Sequence, residues 1–169
     1  MVERVPLRCW ADENVWFVQG LPPWDNVLTY GSDREDAVHQ AQDALSGVLA
    51  AWLDHGDPIP EVPIPAVGDD IIWVAPDLRV MVPLWIRQTR EAAGLTQGKL
   101  ATRLGVTYQA IQKWERSGAN PTIGTLQRVA QALGHEAMIS FHLNFSTASP
   151  GELLAKPEPA PTAKAPGGF

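Results

Sequence analysis

The sequence predicts an α+β protein in two parts: a small sheet-and-helix domain over residues 1–78, then an all-α domain over residues 79–145. Three observations predict it. Up to Val74, apolar residues gather in four short strand-like runs around one long segment with three- and four-residue spacing. From Leu84 to Leu133 the pattern becomes a succession of short helices that stop at glycines or loops. The charge also changes sign between the parts. Residues 1–78 carry three arginines against fourteen Asp and Glu, a net −11, and residues 79–145 carry eight Lys and Arg against three acids, a net +5. An acidic segment joined to a basic one predicts two surfaces with different partners.

Composition narrows the class. The chain has 169 residues, of which 45% are hydrophobic and 19% charged, with a net charge of −6, the balance of a folded globular protein. Its longest apolar run, Val48 to Leu53, is far short of the roughly 20 residues a bilayer span needs, so no membrane partner is expected. Glu3 and Arg4, with no apolar stretch behind them, do not read as a secretory signal. Cys9 is the single cysteine, which excludes an internal disulfide framework and a multi-cysteine zinc site. A cytoplasmic protein without a metal or cofactor is the expectation.

In the first part, residues 8–11 and 15–18 flank the turn formers Asp12, Glu13 and Asn14, which predicts a hairpin. A loop over residues 20–26 leads to a third strand over residues 27–30. Ser32 and Glu35 have the spacing of a capping box, and Asp33, Glu35 and Asp36 suit the positive end of a helix dipole. Val38, Ala41, Leu45, Val48, Leu49 and Trp52 then form one apolar stripe, ended by Gly56 with Pro58 just beyond. Pro58, Pro60, Pro63 and Pro65 alternate with Ile59, Val62 and Ile64 in an extended connector. Residues 71–74 form a fourth strand.

In the second part, Pro83 is expected at the first position of a helix and Gly94 at its stop. Thr96 caps a helix with Leu100, Ala101 and Leu104 on its buried side, and Gly105 ends it. Thr107 caps a third helix running through Ile111 and Trp114. After a loop over residues 117–121, Ile123, Leu126, Val129, Ala130 and Leu133 line a fourth, which Gly134 ends. Two short helices joined by a glycine-containing turn, at this spacing, are a helix-turn-helix, whose second helix fits a DNA major groove. Residues 137–143 alternate like a strand with no partner in a helical domain, so they are expected to pair with a second copy and make a dimer. Residues 146–169, of which 17 are Pro, Gly, Ala, Ser or Thr, are expected to be a disordered tail.

Residues 90–134, REAAGLTQGKLATRLGVTYQAIQKWERSGANPTIGTLQRVAQALG, resemble the phage-repressor-like (XRE/Cro) helix-turn-helix domains along nearly their whole length, with glycines, caps and apolar positions in register. The resemblance implies operator double-stranded DNA as a partner. It matches Gln97 to a phosphate-contacting glutamine, and Thr107, Tyr108, Gln109, Gln112 and Lys113 to positions that read bases and backbone. Asn120, in the following loop, is placed with them. Their chemistry agrees, since glutamine can pair with adenine, and lysine can donate to guanine. Arg90 and Glu115 match a buried ion pair. Gly98 departs from the pattern, which usually has a better helix former there, at about 1 kcal/mol of helix stability.

The acidic part is similar to HicB-type antitoxins over about residues 8–75. Gly31-Ser32-Asp33-Arg34-Glu35-Asp36-Ala37 and Ile59-Pro60 carry the likeness. The family's usual Phe-Pro-Asp-Leu-Pro-Gly segment is replaced by Gln19-Gly20-Leu21-Pro22-Pro23-Trp24. The resemblance implies a partial ribonuclease-H-like βββαβ fold and a HicA-type messenger-RNA-cleaving toxin as partner, with autorepression of the shared operon. A toxin that grips RNA is basic, and a domain of charge −11 suits it. Trp10, Trp16 and Trp24, with Asp25 beside the last, are the candidate toxin contacts, because tryptophan is enriched at binding hot spots. The other reading open at this point is a stand-alone repressor whose first domain senses a small molecule. Catalysis is not expected. Asp12, Asp25, Asp33, Asp69 and Asp70 sit at turns or caps, and His39, His55, His135 and His142 lack ligand spacing.

Overall fold

The computed structural model describes residues 2–65 and 68–135. The hairpin forms with β1 over Val5–Asp12 and β2 over Val15–Gly20, joined by Glu13 and Asn14, with Glu13 in the left-handed region at φ 51°. β3 (Leu28–Gly31) and β4 (Ile71–Val74) complete an antiparallel sheet in the order β3-β2-β1-β4. Period-two alternation then sorts the side chains. Val5, Leu7, Cys9, Val18, Ile72 and Val74 are buried on one face, and α1 (Arg34–His55) packs on it through Ala37, Val38, Ala41, Leu45, Leu49 and Leu53. Burial pushes the Cys9 thiol up, so it stays protonated at neutral pH.

The proline-rich connector has a geometric reason. α1 starts beside the end of β3 and finishes near the opposite end of the sheet, where Trp52 meets Trp24 edge-on at 5.2 Å. β4 begins back beside Cys9, whose amide donates to the Asp70 carbonyl. The chain must therefore return along the sheet, and proline-rich extended backbone covers about 3 Å per residue without internal hydrogen bonds. The Trp24 indole donates to the Glu61 carbonyl at 3.0 Å and pins the connector.

The helix cap lies one residue later than the sequence spacing suggests. Gly31 is still paired with Trp16 in the sheet, so Ser32 makes the turn and Asp33 becomes the cap, accepting from the Asp36 amide at 2.9 Å. Asp36, not Glu35, reaches back to the Ser32 amide and hydroxyl. The Ser32 amide, and then Gln40, hold the Asp36 carboxyl below the usual carboxylate range.

Helices α2 (Leu78–Ala92), α3 (Gln97–Leu104), α4 (Tyr108–Trp114) and α5 (Ile123–Ala132) follow. Pro83 is not at the start of α2 but inside it, and Asp77 is the cap. Proline has no N–H to give the carbonyl four residues back. Here that carbonyl belongs to Arg79, and it accepts instead from the Gly118 amide in the loop after α4, at 3.0 Å. The vacancy is filled from another element, which is why the helix tolerates the proline.

α2 also serves two cores. Val80 and Leu84 pack in the core of the sheet domain, while Ile86 packs with Leu100, Ala101, Ile111, Val129 and Leu133 in a second core. The chain is thus an α+β protein with an N-terminal antiparallel sheet and C-terminal helices. Among the described residues no helix is long and apolar enough to cross a membrane. The strand expected over residues 137–143 and the tail expected over residues 146–169 lie outside the described residues.

Two glycines test this packing in opposite directions. A Cβ at buried Gly31 would overlap the backbone of Asp36 and Ala37, so Gly31→Ala is expected to destabilise the sheet domain by about 2 kcal/mol or more. Gly47 is exposed inside α1 with open space around it, so Gly47→Ala is expected to stabilise by about 1 kcal/mol. Urea denaturation followed by far-UV circular dichroism reads both.

Candidate nucleic-acid interface and partner surface

The helix-turn-helix is built from local signals that all form as expected. Thr96 caps α3 by accepting from the Lys99 amide at 3.2 Å, Gly105 ends it at φ 66°, and Thr107 caps α4 by accepting from the Ala110 amide at 3.2 Å. Ile111 is fully buried and Trp114 packs beside it, so the rest of α4 must face outward. That outward face carries Tyr108, Gln109 and Lys113, all exposed, with Gln112 half-buried. The Gln112 amide donates to the Tyr108 hydroxyl at 3.1 Å, one turn away, which holds both polar tips in place. The Lys113 side chain has no partner among the described residues. Gln109, Gln112, Lys113 and Arg116, with residues 117–119, line a polar concavity of about 330 Å³.

The tilt of α4 is fixed from behind by a buried ion pair. Arg90 Nε and Nη2 donate to the two carboxylate oxygens of Glu115 at 2.6 and 2.8 Å, and Arg90 Nη1 donates to the Leu95 carbonyl at 2.8 Å. Both residues are buried, and the Glu115 hydrogen bonds hold the Arg90 guanidinium above its usual range. Gln97 joins this network, its Nε2 donating to Glu115 at 2.9 Å. The expected backbone-contacting glutamine is therefore half-buried and pre-oriented, with one amide hydrogen committed and the other left over. Thr107 spends its hydroxyl oxygen on the cap, and Asn120 is exposed in the loop.

The sheet offers a second surface, because α1 covers only one of its faces. On the other, Trp10 stacks on Phe17 at 5.6 Å, and Phe17 meets Tyr30 at 6.4 Å, a row across three strands fixed by the Trp10–Phe17–Tyr30 register. Leu28 is 60% exposed and Tyr30 67% exposed. Of the sequence candidates, Trp10 lies on this face. Trp16 packs against the sheet-domain core instead. Trp24 is fully buried, so it has no surface for a partner, whereas Asp25 beside it is exposed. A fully buried Trp24 is explained by Trp52 and Glu61, both distant in sequence. Phe17, Leu28 and Tyr30 are absent from the sequence candidates; the β1–β2 and β2–β3 registers place them on this face, and the unbroken apolar run over residues 15–18 hides which of its side chains point outward. Among the described residues no group of three or more His, Cys, Asp or Glu is placed to hold a metal ion.

Comparison with known proteins bears on both surfaces. A helix-turn-helix family model matches residues 86–136. Antitoxin HicB 1 of Photorhabdus laumondii is 32% identical over 130 residues, covering 77% of this chain and 81% of the relative. Antitoxin HicB 2 of the same organism is 31% identical over 134 residues, 78% of this chain and 91% of the relative. An uncharacterised helix-turn-helix transcriptional regulator of Methanothermobacter thermautotrophicus is 45% identical over 51 residues, 30% of this chain and 74% of the relative.

The buried pair yields a measurable expectation. Glu115→Ala strands a buried guanidinium and is expected to destabilise the helical domain by about 3–5 kcal/mol. Replacing both partners, as Arg90→Met with Glu115→Leu, removes the stranded charge and is expected to recover most of that loss. Denaturation followed by fluorescence of Trp85 and Trp114, which line this core, compares the two.

Proposed function

The chain belongs to the HicB family of antitoxins, and on that premise we propose that it binds and neutralises a HicA-type messenger-RNA-cleaving toxin and represses its own operon. The observation that carries the reading is that one chain displays two unlike exposed surfaces. One is an aromatic sheet face on a domain of charge −11, and the other is a polar helical ridge on a domain of charge +5. The first suits a cationic protein, whose encounter the acidic domain would accelerate and whose contact the aromatic row would hold. The second suits duplex DNA, with Gln109 and Lys113 reaching base edges and the spare amide hydrogen of Gln97 reaching a phosphate.

The βββαβ order of the sheet domain is the order the ribonuclease-H-like resemblance implies, and the reading uses it as a platform for a partner, not as a nuclease. Antitoxins and helix-turn-helix regulators are not in general enzymes. Repressor-like domains act on two-fold sites, so the DNA-bound form is proposed to be a cytoplasmic homodimer.

On the DNA side, Gln109→Ala and Lys113→Ala are each expected to lose about 1–3 kcal/mol of affinity for the operator while leaving affinity for scrambled duplex unchanged. A gel-shift series on both duplexes checks this, and equal losses on the two would reassign these side chains to backbone contacts. On the protein side, Tyr30→Asp places a charge in the aromatic row without touching the helical domain. It is expected to abolish growth rescue when the chain is co-expressed with the product of the adjacent toxin gene, and to leave operator shifts intact. Unimpaired rescue by Tyr30→Asp moves the toxin contact off this face.

A further inference from the structure

The end of α1 reaches into the DNA-reading domain. Asp54 lies in the last turn of α1, and its Oδ1 accepts from the Ser117 amide at 3.0 Å while its Oδ2 accepts from the Ser117 hydroxyl. Ser117 lies just beyond the C-terminal end of α4 and lines the same concavity as Gln109, Gln112, Lys113 and Arg116. On the other side, Asp54 shares a second hollow with Gln97, Gln112 and Arg116. The carboxylate therefore stands at the border of the proposed reading face, between the side chains meant for bases and the glutamine meant for the backbone.

A backbone N–H and a hydroxyl converging on one oxyanion are the donors that proteins turn toward a phosphate. Asp54 offers them a carboxylate instead. The rest of the contact has the same sign. Arg87 Nη2 donates to the Gly56 and Asp57 carbonyls at 3.1 and 3.0 Å, and its Nε donates to Glu91 at 3.1 Å, so a cation of the helical domain is engaged by the negative end of α1. We propose that the end of α1 acts as an internal anion, with Asp54 occupying a DNA-phosphate position at Ser117, so that the free protein holds DNA below its full affinity. The proposal rests on the DNA-reading assignment above and adds the residue that restrains it.

Two features make the contact a reversible stop instead of a structural weld. Asp54 is exposed, so water and phosphate can compete for its partner. The loop also has an independent anchor, the Gly118 amide on the carbonyl that Pro83 leaves free in α2. Removing Asp54 leaves the loop in place with the Ser117 donors presented outward.

The test is fluorescence anisotropy of the full chain on two labelled duplexes, one taken from upstream of its own coding sequence and one scrambled, with circular dichroism to confirm folding. Asp54→Ala and Asp54→Asn are expected to tighten binding to both duplexes by roughly fivefold to tenfold, about one net hydrogen bond's worth, equally because a phosphate carries no sequence. Adding Ser117→Ala to Asp54→Ala is expected to remove the hydroxyl's share of the gain and leave that of the backbone amide. Weaker binding by the folded Asp54 variants means that Asp54 positions the loop for DNA, and unchanged binding means that Ser117 meets no phosphate; either overturns the proposal while the DNA-reading assignment stands. If neither the parent nor the variants bind either duplex at low salt, that assignment fails and the proposal goes with it.

Discussion

Helix α2 belongs to two hydrophobic cores at once, and the placement of everything after it depends on that. Its first half buries Val80 and Leu84 with the sheet domain, and its second half buries Ile86 among the helices. A flexible linker would leave the two domains to tumble separately, whereas a helix packed at both ends transmits orientation. Pro83, at the crossing between the cores, should cost such a helix about 3 kcal/mol or more if the freed carbonyl stayed bare. The Gly118 amide answers it. The residue that would break an isolated helix therefore ties the loop after α4 to the shared element.

The Arg90–Glu115 pair continues the same chain of constraints toward the reading face. Burying two charges is expensive, and the geometry here is of the kind that offsets the cost, with two parallel hydrogen bonds and further partners in Leu95 and Gln97. A hydrophobic pair could match its stability. An ion pair with fixed fork geometry also sets distance and angle, so the C-terminal end of α4 is held at one tilt relative to α2. Gln97 is aligned by the same carboxylate, which places the start of α3 and the end of α4 in one register.

What could be read in advance follows the range of the interactions involved. Thr96, Gly105 and Thr107 punctuate helices through bonds within four residues, and such signals survive any tertiary context. The turn formers Asp12, Glu13 and Asn14 between β1 and β2 are equally local. The spacing puts the cap at Ser32, one residue early, because Gly31 keeps its place in the sheet through a pairing with Trp16 that local spacing does not contain. Trp24 is a candidate toxin contact from sequence because tryptophan is enriched at binding hot spots, whereas its burial depends on Trp52 and Glu61, 28 and 37 residues away. Pro83 looked like a helix start for the same reason, since the donor that permits it comes from Gly118. The Asp54–Ser117 contact spans 63 residues and has no sequence signature at all.

Joining a domain of charge −11 to a DNA reader appears self-defeating until distance is considered. At physiological ionic strength the screening length is about 8 Å, so acids farther than that from α4 act only weakly on a phosphate there. They remain able to draw in a cationic protein that approaches the sheet directly, because that partner comes within the same length of them. Acids within that length of the reading face do bear on DNA, and Asp54 at the end of α1, bonded to Ser117, is one of them. On the proposed reading, screening separates the two tasks, with most of the negative charge available for protein association and the Asp54 carboxylate at the junction placed to act on the nucleic-acid face.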